Sequence, residues 1–596
     1  MRGKLLTGII TTALFCLLFA VNTFAGDDVA IDATNFPDDI FRNYVSDNFD
    51  KNADGILQSS EADNVTDIKL SNKGIYSIEG VEYFVNLTTL YCFKNKLSSL
   101  DVSKNTSLTY LICDSNKLSS LDVSKNTSLT YLDCHSNELS GLDVSKNTSL
   151  TNLICHSNKL SSLDVSQNTS LTYLACYSNN LSSLDVSKNT SLTYLACYSN
   201  NLSSLDVSKN ISLTELLCYK NKLSNLGVSN NTSLTKLYCY SNELSSLDVS
   251  KNTSLTNLYC YSNKLSSLDV SKNVVLTELN CSVNKISSLD VSKNTSLVKL
   301  KCGFNPLSSL DVSNNTALKE LSCYRNKLSN LDVSNNTLLT NLDCSTNELS
   351  NLDVSNNTSL TVLNCFSNEL SSLDVSKNIS LTRLYCYSNK LSGLDLSKNV
   401  NLSRAEISSQ NIVVDIYEKN GIQTIDLSMY NFDAIKIKNI SNGKYNAETK
   451  KIELVTTVSQ GDIITYEYDT GISDILLKVE LEVSKVNKYV EPQTQPPTNP
   501  STEPPTTVRV TEPATTEAPT VSPTDEPTEL ESEADTTEVP TTEEITTEAI
   551  TDAASEGKDD SGKPSWLIPV IVVACVAVVG IVIVIIVVKR KKKDKE

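Results

Sequence analysis

The middle of the chain repeats one arrangement of apolar and polar positions every 21 residues. The arrangement occurs fifteen times between Leu87 and Asn401, and a representative copy runs from residue 108 to residue 128. If the first residue of a copy is offset 0, apolar residues stand at offsets 0, 3, 5, 10, 13 and 15, and asparagine stands at offset 8. The residue at offset 5 is always cysteine. Self-similarity at a fixed period of this length predicts a stack of similar coils.

The spacing within a copy predicts how one coil folds. Leu111 and Cys113 are two residues apart and therefore point to the same side of a short strand. The apolar residues at offsets 10, 13 and 15 can turn inward on the return path. Because one coil cannot bury its apolar side alone, stacked coils share a continuous core, and their strands pair in parallel along one face. Asn116 stands where the chain leaves the strand, so its amide and its equivalents are expected to satisfy backbone groups as an internal ladder.

Two irregular coils flank the fifteen copies, and a different pattern follows them. The segment from Val65 predicts a first coil of 22 residues, and residues 402–412 predict a degenerate last coil with Ala405 and Ile407 in place of leucine and cysteine. The solenoid is therefore predicted for residues 65–412. Residues 413–488 alternate apolar and polar positions, as in 434–437, 465–468 and 479–483, which predicts strands and a small all-β domain capping the last coil.

Residues 26–64 predict a helical cap that contains an EF-hand-like loop. The sequence Pro-Asp-Asp at 37–39 predicts a helix start, with the apolar residues at 40, 41, 44 and 45 on one side. Residues 50–61 then match the EF-hand loop at each required position, with Gly55 at its sharp turn. We expect a structural Ca²⁺ ion here; the alternative is an acidic turn without an ion. The expected ligands are Asp50, Asn52, Asp54, the carbonyl of Ile56, Gln58 and Glu61.

The copies match the leucine-rich-repeat pattern LxxLxLxxNxL, with cysteine in the third apolar position. Residues 30–485 resemble the internalin-like surface proteins of Gram-positive bacteria. The resemblance implies a curved solenoid that recognises ligands, often molecules of a host or of a neighbouring cell. The 21-residue period, the cysteine ladder and the missing sortase motif depart from typical internalins. The resemblance therefore does not identify the ligand.

Fifteen of the seventeen cysteines, from Cys92 to Cys386, fall at one offset of the repeat. They are expected to form a stack on the core side of the sheet, with neighbours about 4.8 Å apart. Parallel Cβ vectors disfavour disulfides between them. We therefore expect free thiols that act as small apolar fillers, since a metal site would need clustered CxxC spacing that the ladder lacks.

The position after each cysteine defines an outward-facing stripe on the concave face. Nine of its fifteen residues are aromatic, and both histidines of the chain belong to it. The aromatic rings could stabilise the sheet or reflect copying of a repeat unit, or they could bind a ligand through apolar area and hydroxyl groups. His135 and His156 could also join Asp114 and Asp133 around a metal, although two exposed histidines need no ligand. The predicted ligand-binding residues are Phe93, His135, His156, Tyr177, Tyr198, Tyr219, Tyr240, Tyr261, Tyr324, Phe366 and Tyr387.

Two apolar segments predict where the protein is placed in the cell. Residues 1–25 have a basic start, an apolar run and small residues before Gly26, as in a secretory signal peptide. Residues 566–588 are apolar, uncharged and long enough to span a bilayer, and the basic tail 589–596 is expected to stay in the cytoplasm. The Thr-, Pro- and Glu-rich residues 489–565 predict a disordered stalk. We thus expect a cell-membrane protein with one C-terminal membrane helix and an extracellular head.

Charge and chemistry argue against several classes of function. The formal net charge is −19, and residues 491–563 alone hold 18 acidic residues against 3 basic ones, which argues against a nucleic-acid partner. The repeats contain no Gly-rich phosphate loop and no catalytic cluster, so we do not expect an enzyme. The leading hypothesis is adhesion to, or recognition of, an extracellular protein or glycan through the concave face. The alternative is a passive structural spacer without a specific ligand.

Overall fold

The structure, a computed structural model, describes residues 28–430 and 433–488. The predicted signal peptide, stalk, membrane helix and basic tail lie outside these residues. Within the two described ranges, none of the helices combines the length and the apolar character needed to cross a membrane. Residues 28–488 belong to one compact unit of the chain.

The solenoid consists of seventeen three-residue strands, one in each coil. Each strand pairs in parallel with the next at a register shift of one coil, as in the pairing of Leu111 with Leu132. This arrangement confirms the leucine-rich-repeat solenoid predicted from the 21-residue period. The strands are β3 (Asp67–Lys69), β4 (Thr89–Tyr91), β5 (Tyr110–Ile112), β6 (Tyr131–Asp133), β7 (Asn152–Ile154), β8 (Tyr173–Ala175), β9 (Tyr194–Ala196), β10 (Glu215–Leu217), β11 (Lys236–Tyr238), β12 (Asn257–Tyr259), β13 (Glu278–Asn280), β14 (Lys299–Lys301), β15 (Glu320–Ser322), β16 (Asn341–Asp343), β17 (Val362–Asn364), β18 (Arg383–Tyr385) and β19 (Arg404–Glu406).

A ladder of asparagines at offset 8 ties each coil to the one before it. The Nδ2 group of Asn116 donates to the carbonyl of Cys113 in its own coil and to the carbonyl of Cys92 in the preceding coil, both at 3.0 Å. Its Oδ1 atom accepts from the backbone N–H of Leu97, also at 3.0 Å. The predicted ladder is therefore confirmed, and it saturates backbone groups that water cannot reach.

A second asparagine ladder, at offset 18, runs through the opposite side of the core. The Nδ2 group of Asn126 donates to the carbonyls of Val102 and Asn105 in the preceding coil, both at 2.9 Å. The sequence does not reveal this ladder, because nine of its fifteen asparagines stand in Asn-Thr-Ser triplets that look like surface loops or glycosylation sequons. All fifteen side chains of this ladder are fully buried, so their amides are not accessible to a glycosyltransferase.

The N-terminal cap combines two short strands, a helix and one helical turn. They are β1 (Val29–Ala30), α1 (Asp39–Phe49), β2 (Ile56–Leu57) and α2 (Ser59–Ala62), and β1 pairs with β2 in antiparallel fashion. The Asp38 carboxylate caps α1 by accepting from the N–H groups of residues 40 and 41. Phe41 and Val45 are buried, but Ile40 is 43% exposed, so the expectation that Ile40 lies on the inner side is wrong. Ile40 directly precedes Phe41, and the turn of the helix carries it away from the solenoid.

Helix α1 docks on the first coil through polar contacts as well as apolar ones. The Asp38 carboxylate also accepts from the N–H of Tyr76 at 2.8 Å, and the Tyr44 hydroxyl accepts from the N–H of Lys69. Phe36 packs where Gly80 leaves room, since a Cβ at Gly80 would lie 2.3 Å from the Phe36 ring. These contacts close the open apolar end of the solenoid.

A seven-stranded sheet follows the solenoid. Its order is β22-β25-β26-β20-β21-β24-β23, in which β20 and β26 are parallel and the other neighbours antiparallel. A short 3-10 helix, Val81–Tyr83, lies in the first coil, and another, Ala434–Lys436, precedes β22. The strands are β20 (Gln410–Lys419), β21 (Ile422–Asp426), β22 (Ile437–Lys438), β23 (Lys444–Asn446), β24 (Lys451–Glu453), β25 (Ile463–Asp469) and β26 (Leu476–Lys488).

The strand predicted at 434–437 is wrong for its first three residues, which form the second 3-10 helix. Asp433 explains the difference, because its carboxylate accepts from the N–H of Ile435 and its carbonyl from that of Lys436. Such local side-chain bonding to the backbone competes with a strand ladder. Only Ile437 and Lys438 pair with β25.

The sheet joins the solenoid without a linker. Gln410, the first residue of β20, also completes the first asparagine ladder: it accepts from the N–H of Leu391 and donates to the carbonyl of Cys386, both at 3.0 Å. The buried Tyr466 hydroxyl donates to the carbonyl of Ser392 at 2.7 Å. The sheet therefore covers the last coil and continues its core.

The fifteen cysteines of the repeats are free and buried, as predicted. They line the core directly after each strand, next to the apolar residues of the same coil. Burial raises the pKa of the Cys176 thiol to about 12, and the other thiols of the ladder shift in the same direction for the same reason. Buried, protonated thiols are expected to be unreactive in the folded protein.

The thiol ladder gives a test of the packed core. In a head of residues 28–488, we expect no reaction of the cysteines with a thiol reagent such as DTNB at pH 8, because the folded state excludes the reagent and keeps the thiols protonated. In guanidinium chloride all fifteen should react. Rapid reaction of several cysteines in the native head would show that the coils do not pack as described.

One column of the solenoid is held in the left-handed backbone region. The residue at offset 7 has a φ near +50° in every coil, and it is usually serine. Several coils carry another residue there, and the two apolar ones are Val283 and Phe304, each with a φ of 55°. A β-branched or bulky side chain is strained in this region, typically by about 1–2 kcal/mol.

We expect Val283→Asn to raise the free energy of unfolding by about 1 kcal/mol, because asparagine tolerates the left-handed conformation. Val283 is 36% exposed, so little apolar burial is lost. The measurement is chemical denaturation of the head beside Ser262→Asn, the matched change in the preceding coil. If the Val283→Asn head has a free energy of unfolding equal to or below that of the Ser262→Asn head, Val283 is not strained.

Candidate functional site

Three columns of side chains project from the concave face of the sheet. They belong to offsets 2, 4 and 6, which alternate along each coil with the buried leucine and cysteine. In β8 and the residues that follow it, the three positions are Tyr173, Ala175 and Tyr177. The inward positions hardly change from coil to coil, whereas these outward positions vary. The side chains that differ between coils therefore lie on the concave face.

The predicted stripe at offset 6 contains one continuous stack of seven rings. Successive ring centroids lie 3.9–4.2 Å apart, and the ring planes differ by 10–26°. Phe366 and Tyr387 form a separate stacked pair at 4.6 Å. Phe93 and Tyr324 lie outside the seven-ring run, separated from it by Asp114 and by Ser282 and Gly303. The seven rings are those of His135, His156, Tyr177, Tyr198, Tyr219, Tyr240 and Tyr261.

The stack determines which part of each ring faces outward. Because the planes are nearly parallel and follow one another along the solenoid axis, the faces of the inner rings cover each other. The rings are half-buried for this reason, so the part of an inner ring that remains exposed is its edge and not its face. Burial raises the pKa of the five tyrosines, so their phenols are neutral hydrogen-bonding groups at physiological pH.

A second, shorter stack makes a trough of part of this surface. Tyr173 and Tyr194, at offset 2, stack with centroids 4.3 Å apart and parallel planes. Between them and the stripe lie Ala175 and Ala196, which are buried beneath the level of the rings. The offset-2 tyrosines were not among the predicted site residues. The signal that identifies the trough is the sequence Tyr-Leu-Ala-Cys-Tyr, which occurs in two successive coils.

The ring stack ends where the repeat changes. Ser282 and Gly303 replace the aromatic residue, and the Tyr324 ring lies over Gly303, where a Cβ would meet it at 2.3 Å. The strained Phe304 is 46% exposed in the neighbouring column, and the Arg325 guanidinium lies 5.3 Å from the centre of its ring. Tyr324 was among the predicted site residues, whereas Phe304 and Arg325 were not.

At the other end of the stack, His135 lies between two carboxylates. Its Nδ1 atom is 2.6 Å from Oδ1 of Asp133, and its Nε2 atom is 3.5 Å from Oδ2 of Asp114. Burial acts to lower the pKa of His135, but the hydrogen bond and charge of Asp133 outweigh it and raise the pKa. Burial raises the pKa of Asp114 against the effect of His135. Burial and the nearby His135 lower the pKa of His156 to about 3, so this second imidazole stays neutral.

The EF-hand-like loop of residues 50–61 connects α1 to α2. The Asp50 carboxylate accepts from the N–H groups of Asp54 and Gly55, and Gly55 adopts a φ of 80° at the turn. The Glu61 carboxylate accepts from the N–H groups of Lys51 and Gln58. The helix and the loop thus occur in the predicted order, and the end of the loop forms the helical turn α2, which was not predicted.

The remaining predicted ligands of the loop contact one another. The Asp54 carboxylate accepts from the side-chain amides of Asn52 at 2.9 Å and Gln58 at 2.8 Å. The Ile56 N–H donates to Asp54, and Ile56 pairs with Ala30 across the small sheet. The oxygen-rich donor set is of the kind that Ca²⁺ requires.

No family model and no curated protein matches the sequence. Among solved structures, the functional domain of InlJ from Listeria monocytogenes, which includes a cysteine ladder, is 34% identical over 77% of this chain and 99% of that chain, with a TM-score of 0.64. The ectodomain of the plant receptor kinase GASSHO1/SCHENGEN3 from Arabidopsis thaliana is 22% identical over 59% of this chain and 51% of that chain, with a TM-score of 0.50. The second likeness shows the fold alone.

The match to the InlJ domain extends over nearly its whole length and includes the feature that sets this chain apart from typical internalins. The sequence alone indicated that the cysteine ladder of this chain departs from the family. The InlJ domain also includes a cysteine ladder, so this feature is shared with at least one member. The chain belongs to the internalin-like family of leucine-rich-repeat proteins.

Proposed function

We propose that this protein is a cell-surface recognition protein that binds an extracellular protein ligand through the concave face of its solenoid. The single observation that carries the proposal is the aromatic trough, in which two stacks of tyrosines flank the buried Ala175 and Ala196. Rigid aromatic side chains with exposed hydroxyls supply contact area at low entropic cost, which is typical of protein-binding surfaces. We further propose that residues 566–588 anchor it in the membrane and that residues 489–565 hold the head away from it.

The geometry of the stack favours a protein over a glycan as ligand. A sugar ring that packs on an aromatic side chain needs an exposed ring face, and the inner rings of the stack cover each other's faces at about 4 Å. Ring edges and phenol hydroxyls suit the mixed polar and apolar surface of a protein. The GASSHO1/SCHENGEN3 ectodomain was solved in complex with Casparian strip integrity factor 2, so the same fold carries a ligand in that protein.

The competing function is that of a passive spacer. It would explain the uniform core and the copying of a repeat, including the nearly identical coils that carry Ala175 and Ala196, but a spacer gains nothing from a trough walled by tyrosines. A spacer also gains nothing from varying charge on the concave face, as in the pairs Glu215–Lys236 and Glu320–Lys301.

The trough is tested by removing its walls. We expect the quadruple change of Tyr173, Tyr177, Tyr194 and Tyr198 to Ser to lower affinity for the ligand by at least about 30-fold, since central aromatic contacts often contribute 2 kcal/mol or more. Binding of the head to matrix proteins, mucin and defined glycans would be measured by surface plasmon resonance, with folding checked by thermal melting.

A matched control changes exposed tyrosines outside the concave face, Tyr76→Ser and Tyr417→Ser, which are 62% and 47% exposed. Binding that survives in the trough variant but not in the control would place the site elsewhere. If the head binds glycans and no protein, the proposed ligand class is wrong and the ligand is a sugar. If the intact head binds nothing, the spacer function is favoured.

We also propose that the loop of residues 50–61 binds a structural Ca²⁺ ion through Asp50, Asn52, Asp54, Ile56, Gln58 and Glu61. The support is the order of helix, loop and helix and the three carboxylates already turned into the loop by its backbone amides. The bound ion would supply positive charge at these carboxylates. Because α1 closes the first coil, fixing the loop would stabilise the end of the solenoid.

Calcium is expected to raise the melting temperature of the head and its resistance to proteolysis near residue 50. At a hundredfold excess over Kd, an ion bound only to the folded state contributes about 2.7 kcal/mol. Glu61→Gln should abolish this gain, whereas Glu79→Gln, an acidic change outside the loop, should leave it intact. An equal response of both variants to calcium would rule out the loop as the site.

A further inference from the structure

Asp114, Asp133 and His135 bring one nitrogen and two carboxylate groups together at the first end of the aromatic stack. The three side chains come from two successive coils, and their ligand atoms all lie within 4.8 Å of one another. Asp114 and Asp133 are buried, with side-chain exposures of 8% and 11%, whereas the His135 side chain is 25% exposed. The group thus sits in the concave face with its imidazole at the surface.

We propose that these three residues form a binding site for a divalent transition-metal ion such as Zn²⁺. Nε2 of His135 and a carboxylate oxygen of Asp114 are the protein ligands, and Asp133 is a positioning residue that orients the imidazole. This site lies on the same concave face as the proposed ligand surface, but it is separate from the calcium loop and from the tyrosine trough.

Charge balance is the first argument for the site. Two buried carboxylates need compensating positive charge. In the described part of the chain, the only salt-bridge partner of either one is His135. A protonated imidazole leaves one net negative charge among these three side chains, which the nearby Lys94 ammonium offsets only from a distance, since it forms no salt bridge with Asp114 or Asp133. A divalent cation bound to a neutral imidazole leaves none.

The two distances from the imidazole are the second argument. The separation of 2.6 Å between His135 Nδ1 and Asp133 is a short hydrogen bond, which fixes the proton on Nδ1 and leaves the lone pair on Nε2. The separation of 3.5 Å between Nε2 and Asp114 is longer than an ordinary hydrogen bond. Two ligand atoms each about 2.1 Å from a tetrahedral zinc ion lie about 3.4 Å apart.

The role of Asp133 follows the usual arrangement around a metal-bound histidine. Such an imidazole donates its other N–H to a carboxylate, which fixes its tautomer and strengthens the metal bond. Asp133 takes this position, and its Oδ1 atom also accepts from the backbone N–H of His135 at 3.2 Å. The ring is held further by His156, stacked on its face at 4.2 Å.

The chain contains its own matched control. His135 and His156 are the only histidines in the sequence, and they occupy the same offset of adjacent coils. Among the residues that the structure describes, no carboxylate forms a salt bridge with His156, whose Nδ1 atom lies 3.1 Å from the Ser157 hydroxyl. A metal bound as proposed therefore affects one histidine directly and the other only through ring stacking.

The test is a titration of the full chain, without its predicted signal peptide, with ZnCl₂ in saturating calcium, which keeps the acidic loop occupied. Binding would be followed by calorimetry and by the imidazole resonances in ¹³C-histidine NMR spectra. We expect one Zn²⁺ ion to bind and to shift the His135 resonances far more than those of His156. His135→Gln and Asp114→Asn should each weaken binding at least tenfold, and Asp133→Asn by about 10–100-fold, while His156→Gln should retain it.

Thermal melting shows whether each variant is folded, and a folded Asp114→Asn variant with unchanged zinc affinity would overturn the proposal. So would zinc binding that leaves the His135 resonances unmoved. Absence of zinc binding to the unmodified chain would instead leave the cluster as an imidazolium held between two carboxylates.

Discussion

The structure depends on hydrogen bonds that a coil cannot make by itself. Short strands and tight turns leave carbonyl groups pointing into the core, and the buried amides of the next coil satisfy them, through Asn116 on one side and Asn126 on the other. Each bond spans one coil, so inserting or deleting a residue would leave buried polar groups unpaired on both sides. The 21-residue period is fixed by this requirement as much as by the leucines.

The same requirement explains why both ends are closed. The last repeated coil would expose carbonyls with no following asparagine, and Gln410 supplies an amide in its place before the chain continues as β20. At the other end, α1 covers the core of the first coil with Phe41 and Val45. The side chains of Asp38 and Tyr44 accept hydrogen bonds from backbone N–H groups of that coil. The two caps differ in architecture because one end lacks a preceding coil and the other a following one.

Sequence alone predicted the solenoid, its core, its first asparagine ladder and the free thiols, because a periodic core leaves little choice of inward residues. It did not identify the ladder of Asn126, since polar residues in an Asn-Thr-Ser triplet are more often exposed than buried. It also misplaced Ile40 and the strand at 434–437, where a local cap decides the structure. The stripe was located correctly, but the trough depends on Ala175 and Ala196, whose small size matters only once the neighbouring tyrosines are placed.

The regular repeat by itself explains why the aromatic residues of the stripe stack on one another. Parallel strands place equivalent residues close together, so any aromatic residue copied along one offset will stack on its neighbours. The stack by itself is thus a consequence of the fold and carries no information about a ligand. Information enters where a coil departs from the others: at the alanines beneath Tyr173 and Tyr194, at Gly303 under the Tyr324 ring, and at the carboxylates around His135. Selection on binding would act at such departures, because the core and the ladders admit only a few conservative replacements such as Ile286 and Gln410.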